Sequence, residues 1–167
     1  MKKTKLTARE REIVNLSASI AAGCSPCITY HVKKCLEAGL SGTAICEVAS
    51  KTKQLCDQAM EINTEKVFQA LSVAINRQVR APSGTDRKID ILTALAASYS
   101  LNNTVMYELF LTRAPTQGLG AAHIAEISDM ASFIHDKAKA HVDMVNDEHG
   151  VSGSRFKDKE YTVGCTC

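Results

Sequence analysis

Tryptophan is absent from this 167-residue chain, aromatic residues make up only 5% of it, and prolines number three. A core with so few rings must be filled by alanine, leucine and isoleucine, which favours helices packed at short range. Charge of one sign is also missing. The net charge is +2 and the basic residues are scattered, so the chain carries no electrostatic footprint for a nucleic acid. No apolar run is long enough to span a membrane. The start, Met1-Lys2-Lys3-Thr4-Lys5-Leu6-Thr7, is basic but leads into a charged helix rather than an apolar signal core. These absences predict a cytoplasmic protein with neither nucleic acid nor membrane as partner. Strand-like alternation is absent too, and the apolar content of 45% is ordinary for a globular domain.

Helical periodicity fills the chain and predicts an all-α fold. The expected helices lie at about 7–22, 26–38, 42–60, 63–79, 86–99, 101–113 and 120–147. Thr7-Ala8-Arg9-Glu10 is a capping box that opens the first helix, and Gly39 is expected as a left-handed cap closing the second. Ala81-Pro82-Ser83-Gly84-Thr85 is the clearest linker. The expected division is one helical domain over residues 1–147, followed by a flexible tail, 148–167, ending in Gly164-Cys165-Thr166-Cys167.

A weak internal repeat runs through the domain. Arg11, Ile13, Leu16, Ala18 and Ala21 return as Arg87, Ile89, Leu92, Ala94 and Ala97. After a small insertion, Gly39-Leu40, Ile45, Glu47, Asp57 and Ala59 return as Gly118-Leu119, Ile124, Glu126, Asp136 and Ala138. This register sets Cys24, Cys27 and His31 against Ser100, Asn103 and Tyr107, and Glu12 against Lys88. An active unit at about 7–60 and a degenerate one at about 86–140 would share a scaffold, with one live site.

Cysteine, by contrast, is plentiful. There are seven, an odd number that cannot all pair within one chain. In a reducing compartment a Cys-x-x-Cys segment points to redox chemistry or metal more than to a structural staple. Cys35, Cys46 and Cys56 fall inside helical pattern and are expected as small buried hydrophobes. Cys24-Ser25-Pro26-Cys27 stands apart, followed by Ile28-Thr29-Tyr30-His31. Proline is tolerated only in a helix's first turn, so Pro26 requires a helix that starts near Cys24, with both thiols in that turn. Unpaired N–H groups and the helix dipole favour thiolate there. Cys27 and His31 are i, i+4 neighbours, within reach of each other. The segment thus supplies a nucleophile, a resolving thiol and a base.

Glu12 lies on the i, i+4, i+8 stripe with Leu16 and Ile20, which should face inward. A carboxylate on an apolar face is costly unless paired, whereas Glu10 is accounted for by the capping box. Metal remains an alternative for the cysteines, with His31 as third ligand and Cys165 or Cys167 as fourth, although Cys-x2-Cys-x3-His within one helix is not a common zinc spacing. The terminal Cys165 and Cys167 are read as a redox relay, a metal site or an inert end. His123, His135, His141 and His149 lack a ligand partner in the pattern and are expected as ordinary surface or core histidines.

Glu12, eleven residues, Cys24-x-x-Cys27, three residues and His31 together resemble the signature of the AhpD-like alkylhydroperoxidases, within the carboxymuconolactone decarboxylase superfamily. Ala38-Gly39-Leu40-Ser41, and the following helix with Ile45 and Glu47, fit as well. The matching stretch is about residues 7–60. The resemblance implies an AhpD-like helical bundle and thiol-dependent reduction of a small disulfide or a hydroperoxide; no cofactor or metal is expected. By similarity Cys27 is the better-buried attacking thiol and Cys24 the more exposed one, which closes the disulfide and meets the reductant. His31 and Glu12 form the proton relay. Electrons come from a dithiol, a lipoylated protein or a thioredoxin-like donor, and the assembly is a homotrimer or hexamer. Pro26 stands where one group of these proteins carries histidine, which tilts the reading toward disulfide reduction. The other readings are a metal-binding or redox-sensing module, and a decarboxylase-like enzyme that does not use its thiols.

Overall fold

The computed structural model describes residues 5–71 and 87–150. Within them the fold is all-α: six helices, one 3-10 turn and no strand. The helices are α1 (Ala8–Ala21), α2 (Ser25–Glu37), α3 (Gly42–Ala70), α4 (Lys88–Ser100), α5 (Thr104–Arg113) and α6 (Ala121–Glu148). No helix among the described residues is long and apolar enough to cross a membrane. The expected linker at 81–85, the last part of the helix expected at 63–79, and Cys165 and Cys167 lie outside the described residues.

α1 and α4 form the central pair, and both also pack against α3 and α6. Small side chains make this close approach possible: Ser17, Ala18, Ala94, Ala96 and Ala97 are all completely buried. The Ser17 hydroxyl donates to the Thr93 carbonyl at 2.8 Å, so its burial between the helices leaves no donor unpaired. Charged groups add ties: Lys88 on α4 meets Glu10 on α1 at 2.5 Å, and Arg87, paired with Asp90 of α4, reaches across to Glu47 on α3. The capping box is formed, with the Glu10 N–H donating to Thr7 Oγ1 and the Thr7 N–H donating to Glu10 Oε2.

The helices expected at 42–60 and 63–79 are one continuous helix as far as Ala70. Its buried residues Ile45, Val48, Thr52, Leu55, Ala59 and Ile62 alternate steps of three and four, so the inward stripe runs straight through the expected break. No glycine or proline interrupts it. α5 begins at Thr104 rather than near 101, because Asn102 adopts a left-handed conformation (φ +51°) and Asn103 then caps the new helix. Pro115 turns the end of α5 into the 3-10 segment Ala114–Gln117.

The helix ends recur at a fixed spacing, and this corrects the register of the repeat. α1 ends through Gly23 (φ +67°), after which the Cys24 N–H donates to the Ser19 carbonyl and Cys24 caps α2. α4 ends through Asn102, after which the Asn103 N–H donates to the Ser98 carbonyl and Asn103 caps α5. Gly39 (φ +80°) and Gly118 (φ +71°) close the next turns, each followed by a leucine N–H bonded back to the helix. Cys24 therefore corresponds to Asn103, not Ser100. Cys27 then falls on Met106, His31 on Phe110 and Glu12 on Ile91, all three fully buried apolar residues. The first block of the sequence register is thus one helical turn out, whereas Gly39-Leu40 and Gly118-Leu119 already stand at the observed spacing. Alanine-rich helices repeat their apolar pattern every three to four residues, so a one-turn slip matches nearly as well. At the position of His31 the second half has Phe110, at 0% exposure. Phe110→Ala is expected to cost about 3–5 kcal/mol of stability, read as a lower urea midpoint; a loss under about 1 kcal/mol would show that the core is not centred there.

Candidate active site

Cys24 is the N-cap of α2 and Pro26 lies in its first turn, as the proline requires. Cys24 and Cys27 are joined as a disulfide with their Cα atoms 5.3 Å apart. The Cys27 N–H donates to Cys24 Sγ at 3.3 Å, one of the first-turn N–H groups that no helical carbonyl reaches. On reduction, the same N–H and the helix dipole favour a thiolate at Cys24.

Glu12 on α1 and His31 on α2 meet across the helix pair, with His31 Nδ1 2.9 Å from Glu12 Oε2. The inward-facing carboxylate is therefore paired, which offsets the cost of its place on the apolar stripe. With Nδ1 donating to the carboxylate, Nε2 is the nitrogen left to take or give a proton. The Tyr30 ring lies edge-on to the imidazole, centroids 5.0 Å apart. α6 closes the other side. Glu12, Cys27, His31, Phe133, Lys137 and His141 line a cleft of about 570 Å³, into which the disulfide opens through Cys27.

The exposure order implied by the family resemblance is not the one found. Both sulfur-bearing residues are buried, Cys24 at 4% and Cys27 at 8%. The reason is His141, whose Nδ1 sits 3.2 Å from Cys24 Sγ and 3.8 Å from Cys27 Sγ. It covers Cys24, and Cys27 is the thiol on the cleft. His141 was expected as an ordinary histidine. A signal for it existed: Ile127, Ile134 and His141 are spaced by seven, so His141 extends the packed face of α6. The metal alternative had His31 as third ligand, but His31 is engaged by Glu12, and the donor atoms that converge are those of Cys24, Cys27 and His141, within 4.8 Å of one another. His123, buried at the start of α6, accepts from the Gly120 N–H through Nδ1 at 3.2 Å and so has a capping role.

The remaining described cysteines differ from one another. Cys35 is completely buried, its thiol donating to the Glu12 carbonyl at 3.5 Å, and burial pushes the thiol up to about 11, with the Glu12 charge adding to the shift. Cys56 is half-buried and its thiol is also raised, first by burial and then by Asp57. Cys46 is exposed, contrary to expectation, because it lies off the Ile45–Val48 stripe of α3. Alkylation of the native protein near pH 7 is expected to label Cys46 first and Cys35 last, read by peptide mass mapping. Early labelling of Cys35 would contradict its place in the core.

The fold and site define a helical protein with a Cys-x-x-Cys disulfide at a helix start, a histidine–carboxylate pair beside it and a second imidazole over the sulfurs. Residues 1–62 match the model of the carboxymuconolactone decarboxylase family, a stretch covering α1, α2 and most of α3 and containing Glu12, Cys24, Cys27 and His31. The stretch on which the sequence resemblance rests falls inside that match, and the all-α architecture agrees with it. Comparison with curated proteins and with solved structures gave no match.

Proposed function

We propose that the protein is a thiol-dependent oxidoreductase of the AhpD-like kind, cycling Cys24 and Cys27 between dithiol and disulfide. The observation that carries this reading is the Cys24–Cys27 disulfide at the start of α2, opening through Cys27 onto a cleft that also holds the Glu12–His31 pair. Cys27 is the attacking thiol. With a small disulfide, the Cys27 thiolate attacks one sulfur and the other leaves as a thiolate that takes a proton from His31. The Cys24 thiolate then attacks Cys27 Sγ, forming the intramolecular disulfide and releasing the second thiol. With a hydroperoxide, the attack cleaves the O–O bond, His31 protonates the departing alkoxide, and Cys24 displaces hydroxide from the Cys27 sulfenic acid. A dithiol donor, lipoylated or thioredoxin-like, restores the pair. His141 supports Cys24 in both directions, because its Nδ1 is placed to hold the thiolate that Cys24 becomes when the disulfide opens.

Disulfide reduction is the preferred direction, with Pro26 in place of a further polar group between the cysteines. Cys165 and Cys167 extend the relay in this reading. Exposed Val142, Met144 and Val145 on α6, with Met60 and Val67 on α3 and Leu71 just after it, support association of copies, as a trimer or hexamer. A cytoplasmic setting, where dithiol donors are kept reduced, goes with the proposal. The test is turnover of a small disulfide or hydroperoxide with dithiothreitol as donor. Activity lost on alkylation of the reduced protein is expected; a decarboxylase working on this scaffold without its thiols would keep its activity through the same treatment.

A further inference from the structure

We infer that the reduced protein has a second use for the same sulfurs: Cys24, Cys27 and His141 form a site for a soft divalent cation, Zn²⁺ above all, which exists only while the disulfide is open. The inference rests on the proposed oxidoreductase reading only in requiring that the dithiol form be reachable.

The donor set carries it. His141 Nδ1 stands 3.2 Å from Cys24 Sγ and 3.8 Å from Cys27 Sγ. Around a zinc ion, with Zn–S of about 2.3 Å and Zn–N of about 2.0–2.1 Å, neighbouring tetrahedral donors stand roughly 3.5–3.8 Å apart. The imidazole nitrogen is already close to that spacing from both sulfurs. Only the two sulfurs must move apart, which breaking their bond does. A Cys-x2-Cys pair at a helix start is a bidentate chelating loop, and the N–H groups of the first turn favour the thiolates that a metal needs. Three of the four donors then come from buried residues or their rim, and the fourth position faces the cleft beside Cys27, open to water or a small ligand. His31 does not belong to this set, since Glu12 holds it 2.9 Å away on α1. The ligand that completes the trio comes from α6, 114 residues beyond Cys27, which is why the local Cys-x2-Cys-x3-His spacing misdirects the reading.

Binding and oxidation exclude each other. Two thiols that take up Zn²⁺ release two protons. A small disulfide that oxidises the occupied site removes two electrons from the thiolates, forms the Cys24–Cys27 bond, leaves as two thiols with two protons from water, and the ion is released. Zinc would thus hold the redox pair off, and oxidant would free it.

The test uses the full chain, reduced and then freed of reductant and metal, and titrated with Co²⁺ and Zn²⁺. One tightly bound Co²⁺ per chain, with a thiolate-to-cobalt charge-transfer band and the d–d bands of a tetrahedral site, is expected in the reduced protein and not in the oxidised one. Zn²⁺ should displace it. His141→Ala should weaken binding by at least about tenfold, the lower limit for loss even of an outer-shell partner. His141→Cys should retain the site and strengthen the charge-transfer band, which separates loss of a ligand from loss of folding. His31→Ala should leave the affinity unchanged. Absence of the band, equal affinity in His141→Ala, or a band that survives Cys24→Ser would each overturn the inference. Turnover is measured separately on metal-free protein: intact turnover without metal binding defeats only the metal site, and metal binding without turnover defeats only the oxidoreductase reading.

Discussion

Cys27→Ser is expected to reduce turnover by on the order of 10³-fold or more, to the uncatalysed background, because it removes the nucleophile itself. Cys24→Ser should behave differently. It leaves Cys27 able to attack once, and with no second thiol to resolve the product, a mixed disulfide should accumulate and be visible as added mass on the intact protein. The contrast follows from position: Cys27 lines the cleft, whereas Cys24 caps α2 beneath His141. Serine at 24 can still accept the Cys27 N–H as an N-cap, so that variant should fold normally. If Cys27→Ser keeps multi-turnover reductase activity, the assignment of the attacking thiol is wrong.

The second large effect is expected at the Glu12–His31 pair. His31→Ala should lower turnover by about 10²–10⁴-fold, the usual contribution of a positioned general acid or base. Glu12→Gln keeps the size of the side chain and its carbonyl acceptor but removes the charge opposite the imidazole, so it should act through His31 rather than on its own. The pair is tested by a double-mutant cycle. Once His31 is alanine, Glu12→Gln should add little to the loss, because the two side chains act as one unit across their 2.9 Å contact. Fully additive losses would mean that Glu12 has a separate role. Stability should be followed alongside, since a buried histidine left without its carboxylate also destabilises the α1–α2 contact.

The parts of this architecture that lie within a few residues of one another were legible in the sequence. Thr7 with Glu10, Pro26 just inside α2 and Gly39 after it each fix a helix end by local sterics or by hydrogen bonds within one turn, and all three do so in the structure. The pairing of Glu12 with His31 was approachable because a carboxylate on an apolar stripe must find a partner. What escaped was set by packing between distant segments. His141 reaches the sulfurs only because α6 lies against α1 and α2, and no spacing within residues 24–31 encodes that. The continuity of α3 was missed although Ile62 prolongs its stripe, and the repeat was misplaced by one turn because Asn102, rather than a glycine, makes the left-handed turn that marks the true correspondence. Asparagine tolerates that conformation but announces it less clearly than Gly23 does.

The most direct measurement for the central claim is thiol mapping by mass spectrometry on the reduced protein, before and after one equivalent of a small disulfide and, in parallel, one equivalent of hydrogen peroxide. The account predicts that a Cys24–Cys27 bond forms rapidly with at least one of the two, is reopened by a dithiol, and leaves Cys35 untouched, the faster oxidant indicating the substrate class. Oxidation spread over Cys46 and Cys56 with no Cys24–Cys27 bond from either oxidant would contradict it.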